Sequence, residues 1–325
     1  MGVAALPDTV RVAVTQAEPV WLGLEGAVEK TCKLIEEAAL NGAALVTFPE
    51  CWIPGYPAWI WSRSVDPDLS VRYLKSSLQL ESPQMDRIRA CAASNDITVA
   101  LSFSENLHNS AYIAQSLIGT DGTILLHRRK IKPTHMERTV FGDGAKGSLD
   151  NVANTKAGRV GMLACWEHTQ PLLKYHTYLQ RELLHVAAWP PLFDHEEQPQ
   201  TFWSMSRQGG HSLSQTYAIE SQSFVLHTTA ILGQRGIDAM GTESGVLFSR
   251  PGGGSSAVFG PDGRKLTEDL PENTEGLVYA DLETDAVLRA KSFIDVCGHY
   301  SRPDLLWLGV VDYEKKAEGA TETRS

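Results

Sequence analysis

Cys165 ends a short apolar run, Gly158 to Ala164, and Trp166, Glu167 and His168 follow it at once. A thiol at the C-terminal tip of a buried strand is rigidly held and faces the free N–H groups of the next turn. Such dipoles are expected to lower the thiol pKa and to hold a developing anion. A free cysteine is more often an apolar filler than a nucleophile, so its company decides. Glu50 directly follows the apolar Leu45–Phe48 run and Pro49, at the same kind of strand tip. A carboxylate there can take the thiol proton and later activate water. Lys130 stands at the end of a third apolar run, in Arg128-Arg129-Lys130-Ile131-Lys132. A basic run usually marks a solvated face, but one ammonium aimed into a cleft would stabilise a tetrahedral anion. Lys132, two positions on and on the same face of an extended strand, competes for that role. Three strand ends thus offer nucleophile, base and cation.

The elements that must position these groups are legible as periodicities. Strands are expected at Val10 to Thr15, Leu45 to Phe48, Ile97 to Phe103, Leu184 to Ala188, Phe224 to Thr229, Ser256 to Phe259 and Leu277 to Ala280. Tyr112 to Ile118 and Thr123 to Leu126 flank Asp121-Gly122, a hairpin signal. Helical spacing runs from Leu24 to Asn41 with Gly42 as its stop, and from Ser82-Pro83 to about Asn95. Pro171 opens another helix, Gln198 to Ser223 reads as helical with a break at Gly209-Gly210, and Asp285 to Ser292 is a short helix. Early βαβ units followed by hairpins describe a mixed α/β sheet layered with helices. Residues 1–311 read as one domain, and the polar stretch 312–325 as a disordered tail.

Bulk composition excludes several classes. The 325 residues carry 39 acidic and 29 basic side chains, a formal net charge of -10, which speaks against a nucleic-acid partner. Five scattered cysteines without a C-x-x-C pair suggest free thiols in a reducing, cytoplasmic setting, with neither disulfides nor a zinc site. No apolar stretch reaches the ~18 residues that would span a membrane, and no leader is expected at the N-terminus. Neither a metal nor a cofactor is expected.

Taken together, Phe48-Pro49-Glu50, Arg129-Lys130 and Cys165-Trp166-Glu167-His168 resemble the three signature motifs of the nitrilase branch of the carbon–nitrogen hydrolase superfamily. The likeness runs from Val10 to about Leu308. It takes in Ile53-Pro54-Gly55-Tyr56-Pro57, Pro133 to Arg138 and Gly298 to Asp304. The resemblance implies a four-layer α-β-β-α sandwich, Glu50 as general base, Lys130 as the catalytic lysine and Cys165 as nucleophile. It also places Glu137 beside the lysine as a second glutamate. His299 and Arg302 match a motif with a structural role. The implied reaction turns a nitrile and two waters into a carboxylic acid and ammonia, with no cofactor. The family also self-associates through two-fold interfaces, often into spiral filaments.

Aromatic residues crowd the proposed site in sequence: Trp52, Tyr56, Trp59, Trp61, Trp166, Trp189 and Phe193. Several must be core, but Tyr56, Trp59, Trp166 and Trp189, with His168 shaping the wall, form the expected substrate pocket. Such a pocket suits a bulky arylacetonitrile. Two rivals remain. A cyanide hydratase, which stops at the amide, shares the overall pattern but typically has Asn where this chain has His168. A catalytically silent, filament-forming scaffold would keep the fold alone, against which the complete Glu50, Lys130 and Cys165 set argues.

Overall fold

The computed structural model describes residues 8–196 and 201–311. The expected tail at 312–325 lies outside them. Eleven strands are present among the described residues: β1 Thr9–Ala17, β2 Leu45–Thr47, β3 Thr98–Leu107, β4 Ser110–Ile118, β5 Ile124–Arg129, β6 Val152–Thr155, β7 Gly158–Ala164, β8 Leu184–Trp189, β9 Phe224–Ala230, β10 Ala257–Phe259 and β11 Gly276–Glu283. The helices among the described residues are α1 Leu24–Leu40, α2 Pro67–Ser76, α3 Pro83–Ser94, α4 Pro171–Leu179, α5 Arg207–Ser221, α6 Gln234–Met240 and α7 Asp285–Phe293. None is long and apolar enough to cross a membrane.

The strands hydrogen-bond in the order β5-β4-β3-β2-β1-β9-β8-β7-β6, with β11 added to β1 and β10 to β9. The joint between β1 and β9 is only two residue pairs long, Gln16–Thr229 and Ala17–Ala230. Beyond that corner the two halves separate and face each other. The period of two along each strand divides its side chains between two cores. On β1, Ala13 and Ala17 pack beneath α1 and α3, whereas Val10, Val12 and Val14 meet Met162, Val186 and Leu226 of the other half. On β8, Leu184 and Val186 turn to that same middle layer, and Ala187 and Trp189 turn outward to Tyr178 of α4 and Tyr217 of α5. The result is a four-layer α-β-β-α sandwich.

Direction matters as much as layering. β1, β2 and β3 are mutually parallel, as are β1, β9, β8 and β7. β5 runs antiparallel to β4, which runs antiparallel to β3. The C-terminal ends of β2, β5, β7 and β8 therefore meet at one edge of the sandwich, where α/β folds place their ligands.

Local signals set most element ends. Ser82 accepts from the Met85 N–H and caps α3, and Asn95 ends it. One expectation fails. Residues 198–200 of the expected Gln198–Ser223 helix lie outside the described residues; from 201 onward the α-helix begins only at Arg207, capped by Ser206, and it runs through Gly209-Gly210 without a break. These glycines serve close packing: a Cβ on Gly209 would collide with the Ser204 carbonyl, and one on Gly210 with the Leu192 side chain.

Candidate active site

Glu50, one turn past β2, is fixed through its backbone N–H, which donates to the Trp189 carbonyl at the tip of β8 (3.2 Å). Lys130 follows β5, its N–H donating to the Ile113 carbonyl. Cys165 follows β7 and opens a 3-10 turn, Cys165–Thr169. All three side chains are buried. Lys130 Nζ donates to Glu50 Oε1 at 2.9 Å and to Glu137 Oε2 at 2.8 Å. Carboxylate atoms of Glu50 and Glu137 and the Cys165 sulfur all lie within 4.8 Å of one another. The ammonium bonded to both carboxylates supplies the positive charge of this cluster. Lys132, the rival lysine, points outward to Asp143.

Glu137 is the best-held member. Its Oε1 accepts from the Tyr56 hydroxyl (3.1 Å) and its Oε2 from the Thr134 N–H (2.7 Å), closing a capping box on the turn His135–Thr139. Glu50 differs: its Oε2 is buried with no hydrogen-bond partner. An unpaired carboxylate oxygen in a dry site is costly to keep ionised, and it is free to accept a proton. Burial accordingly pushes the Glu50 carboxyl up to about 8, against the pull of Lys130 and with the push of Glu137.

The thiol departs from expectation. Burial pushes Cys165 well above the ordinary thiol range, and Glu50 and Glu137 reinforce this, while Lys130 and the Trp166 N–H oppose it. Two carboxylates surround one ammonium, so a resting thiolate would be a third negative charge against a single positive one. The helix-end dipole is too weak to reverse that. Lys130 is held cationic: its two carboxylates outweigh the burial that disfavours its charge.

The turn that carries Cys165 is anchored by Glu167, which the motifs did not single out. Its carboxylate accepts from the Ala164 and Ile131 N–H groups and pairs bidentately with buried Arg128 (2.7 and 2.8 Å). Arg128-Arg129-Lys130 is thus no solvated run. Arg128 clamps Glu167, Arg129 pairs with Glu105 and lies over the Tyr112 ring, and Lys130 faces the site. Cys165 itself is held at φ 50°, and Cys51, His135 and Phe248 around the site are also left-handed. Such conformations disfavour residues with a Cβ and persist only where the surroundings enforce them.

Above the cluster opens a cavity of about 180 Å³ with Cys165 and Glu137 in its wall. Tyr56, Trp61, Trp166, Phe193, Phe202 and Phe248 line it. Of the expected pocket residues, Tyr56 and Trp166 are there. Trp59 and Trp189 are not: Trp59 packs edge-on to Tyr73 in the core, and Trp189 stacks between His168 and His227. His168 also lies behind the site, its Nδ1 on the Cys165 carbonyl (2.7 Å). Even spacing along an apolar strand, as at Trp189, signals depth and not which face carries the cavity. Phe248 sits in a loop without any motif, and no sequence signal could have found it.

Fold and site together define an enzyme of the thiol hydrolase kind, with carboxylates and an ammonium gathered around a cysteine. A family model described as carbon-nitrogen hydrolase matches residues 11–291, and the chain belongs to that family. It is 66% identical over 301 residues to an arylacetonitrilase of Aspergillus niger, covering 93% of this chain and 92% of that one. An arylacetonitrilase of Aspergillus kawachii is 65% identical over 305 residues, covering 94% and 93%. Among solved structures, the Caenorhabditis elegans NitFhit protein superposes with a TM-score of 0.72 at 16% identity, covering 95% of this chain and 68% of that one.

Proposed function

We propose that this protein is a nitrilase that hydrolyses arylacetonitriles, with two waters, to the carboxylic acid and ammonia. The observation that carries the reading is the aromatic cavity opening directly on Cys165, in a chain about two-thirds identical to arylacetonitrilases. Cys165 is the nucleophile, Glu50 the general base, and Lys130 the cation that holds the developing anion, oriented by Glu137. Glu50 takes the thiol proton as sulfur bonds to the nitrile carbon, so a thiolate forms only during attack. The nitrile nitrogen collects a proton and gives a thioimidate. Water, deprotonated by Glu50, adds to that carbon, and the tetrahedral species rests against Lys130 Nζ. Ammonia leaves, a thioester remains, and a second water releases the acid and restores the thiol.

Residues 1–311 are read as one hydrolase domain acting in the cytoplasm, a setting consistent with its unpaired thiols. Exposed Phe293, Leu305, Leu306 and Trp307 support self-association into dimers and spiral oligomers. A nitrile panel that quantifies ammonia, acid and amide tests the activity. Higher kcat/KM for phenylacetonitrile than for small aliphatic nitriles, with acid as the main product, is the expected result. The reverse ranking would overturn the substrate class, predominant amide would favour a hydratase, and a silent wild type would favour the scaffold.

A further inference from the structure

A chain of buried hydrogen bonds lies behind the nucleophile, on the side away from the cavity. His168 Nδ1 is 2.7 Å from the Cys165 carbonyl oxygen, and His168 Nε2 is 3.0 Å from His185 Nε2. His185 Nδ1 is 2.8 Å from Glu182 Oε2, and the Tyr217 hydroxyl donates to Glu182 Oε1. His168 and His185 are wholly buried and Glu182 nearly so. The packing is built to fit. Tyr217 stacks on His185 with centroids 3.7 Å apart, and Gly161 leaves room for the Glu182 carboxylate, which any Cβ there would overlap.

Counting protons gives this chain a property that no single pair has. Both ends, a carbonyl and a carboxylate, accept hydrogen bonds, and three contacts need three protons. Two neutral imidazoles carry only two. With an ionised Glu182 and neutral rings, one contact is left without a proton: the two Nε2 lone pairs face each other, or His168 Nδ1 faces the carbonyl lone pair, or His185 Nδ1 faces the carboxylate. A third proton, between Glu182 and His185, satisfies every contact, and in either position the His185 and His168 donors on the inner two contacts point toward Cys165.

We propose that Glu182, His185 and His168 form a proton-loaded relay that positions the nucleophile by holding the Cys165–Trp166 peptide from its oxygen side. The inference rests on the reading of Cys165 as nucleophile. The N–H of that same peptide, on Trp166, lies against the Cys165 sulfur and favours its anion. A donor on the carbonyl fixes the peptide plane and strengthens its N–H as a donor. The three relay residues never touch substrate and are positioning residues. Burial and the neighbouring His185 hold His168 well below the usual histidine range.

Loss of that proton as pH rises would break one contact and loosen the nucleophile. The charged and titratable groups around the relay are Tyr217 and Glu220 of α5, Lys174 and Tyr178 of α4, His227 of β9, Cys297 facing Glu182, and the Arg128–Glu167 pair beyond Cys165. Lys174 and Tyr178 are both engaged by Glu220. Glu50, at about 8, belongs to the rising limb of the profile, and Cys165 and Lys130 are both pushed upward.

Glu182→Gln provides the test. Its amide N–H would donate to His185 Nδ1 and its carbonyl would accept from Tyr217, so every contact is kept without a titratable proton. With phenylacetonitrile, wild-type turnover first establishes the nitrilase reading independently. Glu182→Gln is then expected to turn over at neutral pH and to move the alkaline limb of kcat upward by about one pH unit or more. His168→Ala is expected to lower kcat about 10- to 100-fold with little change in KM. A Glu182→Gln profile that overlays the wild type, or a folded but inactive Glu182→Gln, overturns the relay. Should that variant not fold, ring-15N-labelled histidine in the wild type decides. Two buried imidazoles whose signals change across the alkaline limb support the relay, and unchanged signals overturn it.

Discussion

At the scale of single residues, chemistry here is set by how many charges share one dry chamber. Three acidic groups and one ammonium cannot all be ionised without a net excess of negative charge, so the site rests with a protonated thiol. Glu50 is the group that titrates in a useful range, at about 8. Its base form predominates only above that value, so kcat/KM should rise as pH increases through about 8. Rate profiles across neutral to alkaline pH check this, and a flat profile there would contradict it. Glu50→Gln should lower kcat by about 10²- to 10⁴-fold and abolish that rise. Cys165→Ala should remove turnover by at least about 10⁴-fold while leaving the fold intact, as ammonia release and circular dichroism would show.

At the scale of elements, the working parts are strand ends and the clamps that hold them. Glu167 ties the tip of β7 to the end of β5 through Arg128 and two backbone N–H groups. Despite burial, those partners hold its carboxyl below the ordinary range. The contribution is therefore present above the usual carboxylate pKa and is lost as pH falls below it. Glu167→Gln leaves Arg128 buried without its counter-charge and should cost about 3–5 kcal/mol. Denaturant unfolding would measure that loss. Because Ala164 N–H is one of the bonds affected, kcat should fall as well. α1 and α3 needed no tertiary help to be read, since their caps and apolar stripes are local. α2 has a local signal of the same kind, Asp66 capping it from the Leu69 N–H with Pro67 at its first turn, and it went unread, whereas α6 has no side-chain cap. The helix expected within Gln198–Ser223 was read as broken because its glycines, which meet Ser204 and Leu192, do not interrupt it.

At the scale of the whole molecule, function depends on two half-sheets that touch along β1 and β9 and bring distant segments together. The proposed assembly predicts a particle larger than the 35.6 kDa chain by light scattering, and a uniform monomer would refute it. Strand alternation and helix punctuation were enough to read a mixed α/β chain, three strand tips nominated Glu50, Lys130 and Cys165, and the four-layer sandwich followed only from the family resemblance of the motifs. These signals are local in the chain. The resemblance already set Glu137 beside Lys130, but tertiary structure alone decided that the same ammonium also bonds Glu50, that burial pushes the Cys165 thiol up, and that Trp59, Trp189 and His168 lie behind the cavity. It also brought Phe248 into the cavity wall. Each of those outcomes depends on which groups are buried beside one another, and burial and electrostatic coupling are properties of neighbours in space that a linear order of residues does not contain.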